Sequence, residues 1–280
     1  MVRTAFAASV ARLDTNAPVL TTGHDPEAVH QARVATRRLR SDLRTLLGSV
    51  DASWARHLRA ELRWLGSELG AVRDIEVLRD RLAFHARVLP ALNRESARSA
   101  IRRLDTDHAV ARAELLDALG SPRYAELHRA LVEAVTNPRL TASAHRRARK
   151  ALPDAVRPTW RRLRRAVDNL AAVPSDAALH DVRIRAKRCR YACELAGPVV
   201  GRRARDLAAA VARVQDILGE HQDAVVADAW LAKVAPECTP TEAYALGMLA
   251  AVEHDTAARA RAAFPGAWSA ARDPALRTWL

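Results

Sequence analysis

The sequence predicts an all-α protein built as two similar helical-bundle halves. Three observations carry that expectation. Ala, Leu, Arg and Glu dominate, and no stretch shows the period of two that a half-buried strand needs. One motif occurs twice: Val29 to Arg40 reads V-H-Q-A-R-V-A-T-R-R-L-R, and Leu179 to Arg190 reads L-H-D-V-R-I-R-A-K-R-C-R. A second pair follows in the same order, L-G-A-V-R-D-I-E-V-L from Leu69 and L-G-E-H-Q-D-A-V-V-A from Leu218. His30 and His180 stand 150 positions apart, and Asp74 and Asp223 stand 149 apart. A near-constant offset over two separate elements is the mark of a duplicated unit.

The first half, residues 1–135, is expected to hold helices near 3–14, 26–47, 52–89, 92–118 and 122–135. Asp25-Pro26 and Ser121-Pro122 each place a capping side chain before a first-turn proline. Gly48-Ser49 and Gly120-Ser121 mark stops, and Thr136-Asn137-Pro138 reads as a linker. The second half, residues 136–280, is expected to hold helices near 142–151, 154–172, 176–196, 202–234 and 240–263. Ser175-Asp176 opens the third of these. Val173-Pro174, Gly197-Pro198, Cys238-Thr239-Pro240 and Pro265-Gly266 mark breaks. The tail after Phe264 is expected to fold back through Trp268, Trp279 and Leu280.

Hydrophobic residues make up 49% of the 280, enough to bury a core. Lys and Arg number 45 against 32 acids, a net charge of +13. Arg far outnumbers Lys, and a guanidinium fork suits phosphate oxygens where an ammonium acts as a point charge. The three cysteines, Cys189, Cys193 and Cys238, do not suggest a disulfide framework and point to a reducing cytoplasm. Cys189 occupies the slot of Leu39 in the other copy, so an apolar role is expected for it. No run approaches the ~20 apolar residues that span a bilayer, so no membrane partner is expected. The amino-terminal stretch, interrupted by Arg12, reads as a first helix rather than a signal peptide.

On a helical wheel, His30, Arg33, Arg37, Arg40 and Arg44 fall within an arc of roughly 80°, opposite Ala32, Ala35, Leu39 and Leu43. The second copy puts His180, Arg183, Lys187 and Arg190 in the same arc. Like charges at these spacings repel by a few tenths of a kcal/mol per pair. Between Arg33 and Arg44 the one acid is Asp42, so the row is expected to be offset by a bound anion. The copies differ at two places. Glu194 replaces Arg44 and is positioned to pair with the far end of the row, and Arg185 replaces Ala35 on the apolar side. A polyanion would hold His30 and His180 protonated as donors. A metal site built from His30, His180 and His221 is disfavoured, because no acid joins them at ligand spacing and the arginines would repel a dication. Asp74 and Asp223 are expected to orient a neighbouring cation. Arg73 is a further candidate contact, as are Arg12 and Arg162, which share the 150-residue offset.

V-H-Q-A-R-V-A-T-R-R-L-R, the later L-G-x-x-R-D and L-H-x-x-R-I-R-A-K-R-x-R-Y together resemble the CHAD family, the conserved histidine α-helical domain. The resemblance spans essentially the whole chain. It implies two four-helix bundles about a pseudo-dyad and binding of inorganic polyphosphate in a basic groove or pore between them. His30, Arg33, Arg37, Arg40, His180, Arg183, Lys187 and Arg190 would line that surface, and Gln222 departs from the R-D pattern. Some members carry a fused triphosphate-hydrolysing tunnel domain, and the chain reads as a stand-alone member, with granule association as one setting. The expected function is therefore non-catalytic binding that needs no cofactor. The rival is nucleic-acid binding through phosphates alone. Aromatics are only 4% and none interleaves with the basic rows, and no helix-turn-helix or zinc-finger pattern appears. Phosphatase or kinase activity has no P-loop, carboxylate pair or nucleophile–base pair behind it.

Overall fold

In the computed structural model, which describes residues 2–22 and 25–280, the described residues form ten α-helices. These are α1 Val2–Thr22, α2 Pro26–Thr45, α3 Ala52–His85, α4 Ala91–Ile101, α5 Arg103–Gly120, α6 Pro122–Thr136, α7 Ala148–Asp168, α8 Asp176–Val200, α9 Arg202–Val234 and α10 Pro240–Ala271. Short 3-10 turns link several of them. The one β contact among the described residues is an isolated antiparallel bridge between Val50 and Leu140. No described helix is long and apolar enough to cross a membrane.

The caps form where the sequence places them. Asp25 accepts from the Glu27 amide at 2.9 Å, Ser121 from Tyr124 at 3.2 Å and Ser175 from Ala178 at 3.2 Å. Thr239 and Glu242 close a reciprocal capping box at the start of α10.

Three apolar clusters hold the helices. The first joins α1, α2, α3, α5 and α6 through Phe6, Leu13, Leu39, Leu43, Leu62, Leu115 and Leu131, and Leu195 of α8 reaches into it. The second joins α7 to α10 through Trp160, Val182, Cys189, Cys193, Val211, Phe264 and Trp268. The third joins the far ends of the long helices, Leu78 and Leu82 of α3 and Leu231 of α9, to α4 and the start of α10. Cys189 and Cys193 are fully buried, as expected of apolar slots. Trp160 stacks on Trp268 with ring centres 5.6 Å apart, and Trp279 and Leu280 pack against this cluster.

Several boundaries differ from expectation, each because burial outweighs a local signal. α1 runs on through Pro18 to bury Leu20. The helices expected at 142–151 and 154–172 become a 3-10 turn at Ala142–His145 followed by a single α7. Its stripe of Leu152, Val156, Trp160 and Leu163 continues across Pro153 and Pro158. α8 passes Pro198, and α10 passes Pro265 to bury Trp268 and Ala271. The helix expected over 92–118 breaks at Arg102. Residues before the break serve the third cluster, whereas Ala111, Leu115 and Leu119 serve the first.

Candidate anion-binding site

α2 lies between α1 and α3 and meets α8 across the middle of the molecule. Their cationic stripes converge with α3 and α9 around a cavity of about 540 Å³. His30, Arg33 and Arg37 of α2 face His180, Arg183 and Lys187 of α8 across it, while Arg73, Asp74 and Arg81 come from α3 and Gln222 and Asp223 from α9. Of the candidate residues, His30, Arg33, Arg37, Arg73, His180, Arg183 and Lys187 thus share one site.

The two glycines of the repeated L-G element explain how guanidinium groups fit beside the long helices. A Cβ on Gly70 would stand 3.9 Å from the Arg33 guanidinium, and one on Gly219 would stand 3.4 Å from Arg183 Nε. Both arginines therefore lie flat on a bare helix surface. Arg33 Nη1 donates to Asp74 Oδ1 at 2.6 Å, and Arg183 Nη2 lies 3.9 Å from Asp223 Oδ1. The two aspartates thus orient a cation each. Arg73 pairs with the buried Glu76 at 3.0 Å, and Arg81 pairs with Glu220 and the fully buried Glu253.

Arg37 and Lys187 differ from these neighbours: among the described residues neither makes an ion pair or a side-chain hydrogen bond. Burial, reinforced by Arg183, Arg37 and Arg33, pushes the Lys187 ammonium down to about 7. Burial and Arg73 also push His30 below its ordinary range, with Arg37 and Arg33 adding to the effect and Glu27 opposing it. In the unliganded cavity His30 is therefore disposed to be neutral, so the expected donor role requires an anion to restore its proton.

The remaining candidates lie elsewhere. Arg12 and Arg190 line a second cavity of about 860 Å³, which shares His30, Val34 and Arg37 with the first. There Glu194 accepts from Arg190 Nε at 2.7 Å and also pairs with Arg38, so the acid that replaces Arg44 does neutralise the far end of the row. Asp42, 2% exposed, lies 3.8 Å from Arg38, and burial pushes its carboxyl up to about 7 against the pull of Arg38. The Tyr191 ring sits within 5.5–5.9 Å of the guanidinium carbons of Arg37, Arg38 and Arg190. Arg40 and Arg44 belong to neither cavity. They gather with Arg59, Arg63 and Arg188, and Arg44, Arg162, Arg185 and Arg188 border a small cleft between α2, α7 and α8. Arg185 pairs with Asp181 at 2.7 Å. His221 does not line the cavity with His30 and His180; its Nε2 lies 3.0 Å from Asp176. Among the described residues, no three His, Cys, Asp or Glu side chains form a cluster able to hold a metal.

An all-helical protein whose paired repeat helices turn cations into an internal cavity is the class that fold and site define. The chain belongs to the CHAD domain family, whose sequence model matches residues 4–232. It is 33% identical over 252 residues to the uncharacterized Mycobacterium tuberculosis proteins MT2285 (strain CDC 1551 / Oshkosh) and Rv2226 (strain ATCC 25618 / H37Rv). Each match covers 84% of this chain but 46% of the relative, so the chain spans about half the length of these proteins. Among solved structures, it is similar to PptA from Streptomyces chartreusis, with a TM-score of 0.80 at 24% identity, covering 96% of this chain and 98% of that one. It is also similar to the CHAD domain from the plant Ricinus communis, with a TM-score of 0.74 at 25% identity, covering 97% and 90%.

Proposed function

We propose that the chain binds inorganic polyphosphate, without reacting with it, in the cavity where α2 meets α8. The observation that carries this reading is Arg37 and Lys187, which have no acidic partner among the described residues, are crowded by further cations and are set between opposing histidines. A linear polyanion supplies the missing negative charge at many points along a flexible thread, and forked guanidinium bonds suit its oxygens. Asp74 and Asp223 are already engaged by Arg33 and Arg183, which fits a binding role rather than acid–base chemistry. Tyr191, which lines the adjoining second cavity, is occupied by three guanidinium groups, which favours a bare phosphate chain over stacked nucleobases. Cytoplasmic polyphosphate granules are the setting this reading implies.

The test is titration of polyphosphate of defined length into the wild type and into the double variant Arg37→Glu/Lys187→Glu, with duplex DNA as competitor. The variant is expected to lose affinity by about a hundredfold or more while its circular dichroism stays unchanged, since charge reversal at two central contacts turns attraction into repulsion. Full affinity in a correctly folded double variant rejects the site. Preference for duplex DNA over polyphosphate rejects the ligand.

A further inference from the structure

α2 carries more unpaired charge than the central cavity uses. Arg40, Arg44, Arg59, Arg63 and Arg188 converge from α2, the first half of α3 and α8, and after burial itself the charges of Arg59, Arg63 and Arg188 depress the Arg40 and Arg44 guanidinium groups. Among the described residues none of the five makes an ion pair or a side-chain hydrogen bond. The acid that Arg188 senses, Asp181, is taken by Arg185 at 2.7 Å. Arg40 and Arg44 are half-buried, so water does not screen them fully.

This cluster adjoins the central cavity along α3. Arg40 Nη1 lies 3.6 Å from where a Cβ on Gly66 would stand, and the Arg33 guanidinium lies over Gly70. Four residues separate those glycines, about 6 Å of helix. A row of guanidinium groups therefore runs from the cavity over two bare helical steps to Arg40 and on to Arg59 and Arg63. The matching side in the other half opens into the second cavity, but its guanidinium groups at Arg38 and Arg190 are already neutralised by Glu194. Gln215 stands at the position equivalent to Gly66, and Arg190, equivalent to Arg40, is held by Glu194.

We infer that the anion site is one-sided: a phosphate chain leaves the central cavity along the α2–α3 groove and is held by a second subsite of Arg40, Arg44, Arg59, Arg63 and Arg188. This rests on the polyphosphate reading and adds a direction and a minimum length to it. From Arg33 to Arg44 the row covers about 16 Å along α2. Tripolyphosphate is too short to engage both subsites at once, whereas long chains gain affinity by spanning them.

The experiment compares Arg59→Glu/Arg63→Glu with a control of equal charge change, Arg98→Glu/Arg102→Glu, at the exposed end of α4, which packs on the far end of α3. Each is titrated with long-chain polyphosphate and with tripolyphosphate across a salt series. The Arg59/Arg63 variant is expected to bind the long chain about tenfold more weakly than the control, with a salt slope reduced by roughly 1–2. Its circular dichroism should be unchanged, and so should its tripolyphosphate affinity at the central cavity relative to the control. Equal long-chain affinities in the two variants overturn the one-sided subsite while leaving central binding intact. A wild type that ignores polyphosphate altogether overturns both readings.

Discussion

The two ends of the α2–α8 crossing are built from equivalent positions and have opposite electrostatics. At one end Arg38 and Arg190 meet Glu194, with Asp42 buried alongside. At the other, the equivalents of Arg38 and Glu194 are Arg188 and Arg44, two guanidinium groups that push against one another. Two acids, Glu194 in place of an arginine and Asp42 where the other copy has Ala192, thus separate a self-neutralised flank from one that awaits a counter-ion. The difference shows that the repeated motif keeps the framework of the site, while single substitutions decide which flank is open to an anion.

Exchanging Glu194 and its equivalent Arg44 between flanks is the sharpest way to break the comparison. Glu194→Arg strips Arg38 and Arg190 of their shared acceptor inside a partly buried network. It is expected to cost about 2 kcal/mol of stability, read by urea denaturation, because losing one partner strands the others. An unchanged midpoint would show that the flank is not held by this network. The reciprocal change, Arg44→Glu, opposes Arg188 with an acid. It is expected to raise stability by up to about 1 kcal/mol and to weaken long-chain polyphosphate binding about tenfold. A variant that binds as well as the wild type would place the polymer elsewhere.

The smallest effect concerns pH. The folded value of Lys187, about 7, lies below its ordinary 10.5, so the unfolded chain holds more protons between those limits. The contribution of Lys187 to stability therefore rises with pH across that window. A bound polyanion raises the lysine again, so its help to affinity is fully present below about 7 and fades above it. Binding is expected to be severalfold tighter at pH 6 than at pH 8, with His30 adding in the same direction at the acid end. A flat profile measured at constant ionic strength would remove both groups from contact.

Much of this was legible in the sequence because the repeat marks paired positions. His30 with His180, Arg33 with Arg183 and Arg37 with Lys187 do share one cavity, and the glycine and aspartate of the second element do seat and orient an arginine in each half. What escaped has physical causes. A helical wheel projects down the axis, so it cannot show that the crossing with α8 divides one stripe into a cavity and a separate cluster. Arg59 and Arg81 lack basic counterparts at the offset of the long helices, where Ala208 and Trp230 stand, so comparison of the copies passes over them. Arg38 lies off the wheel's cationic arc, yet it joins the two halves through Glu194. Proline signals misplaced helix ends wherever an apolar stripe continued across them, as at Pro153 and Pro265.

A crystal structure with polyphosphate of defined length tests the central claim most directly. Phosphate density is expected between Arg37 and Lys187, continuing past Gly66 towards Arg40 and Arg63. Density confined to the outer surface, with the cavity between α2 and α8 empty of phosphate, would contradict it.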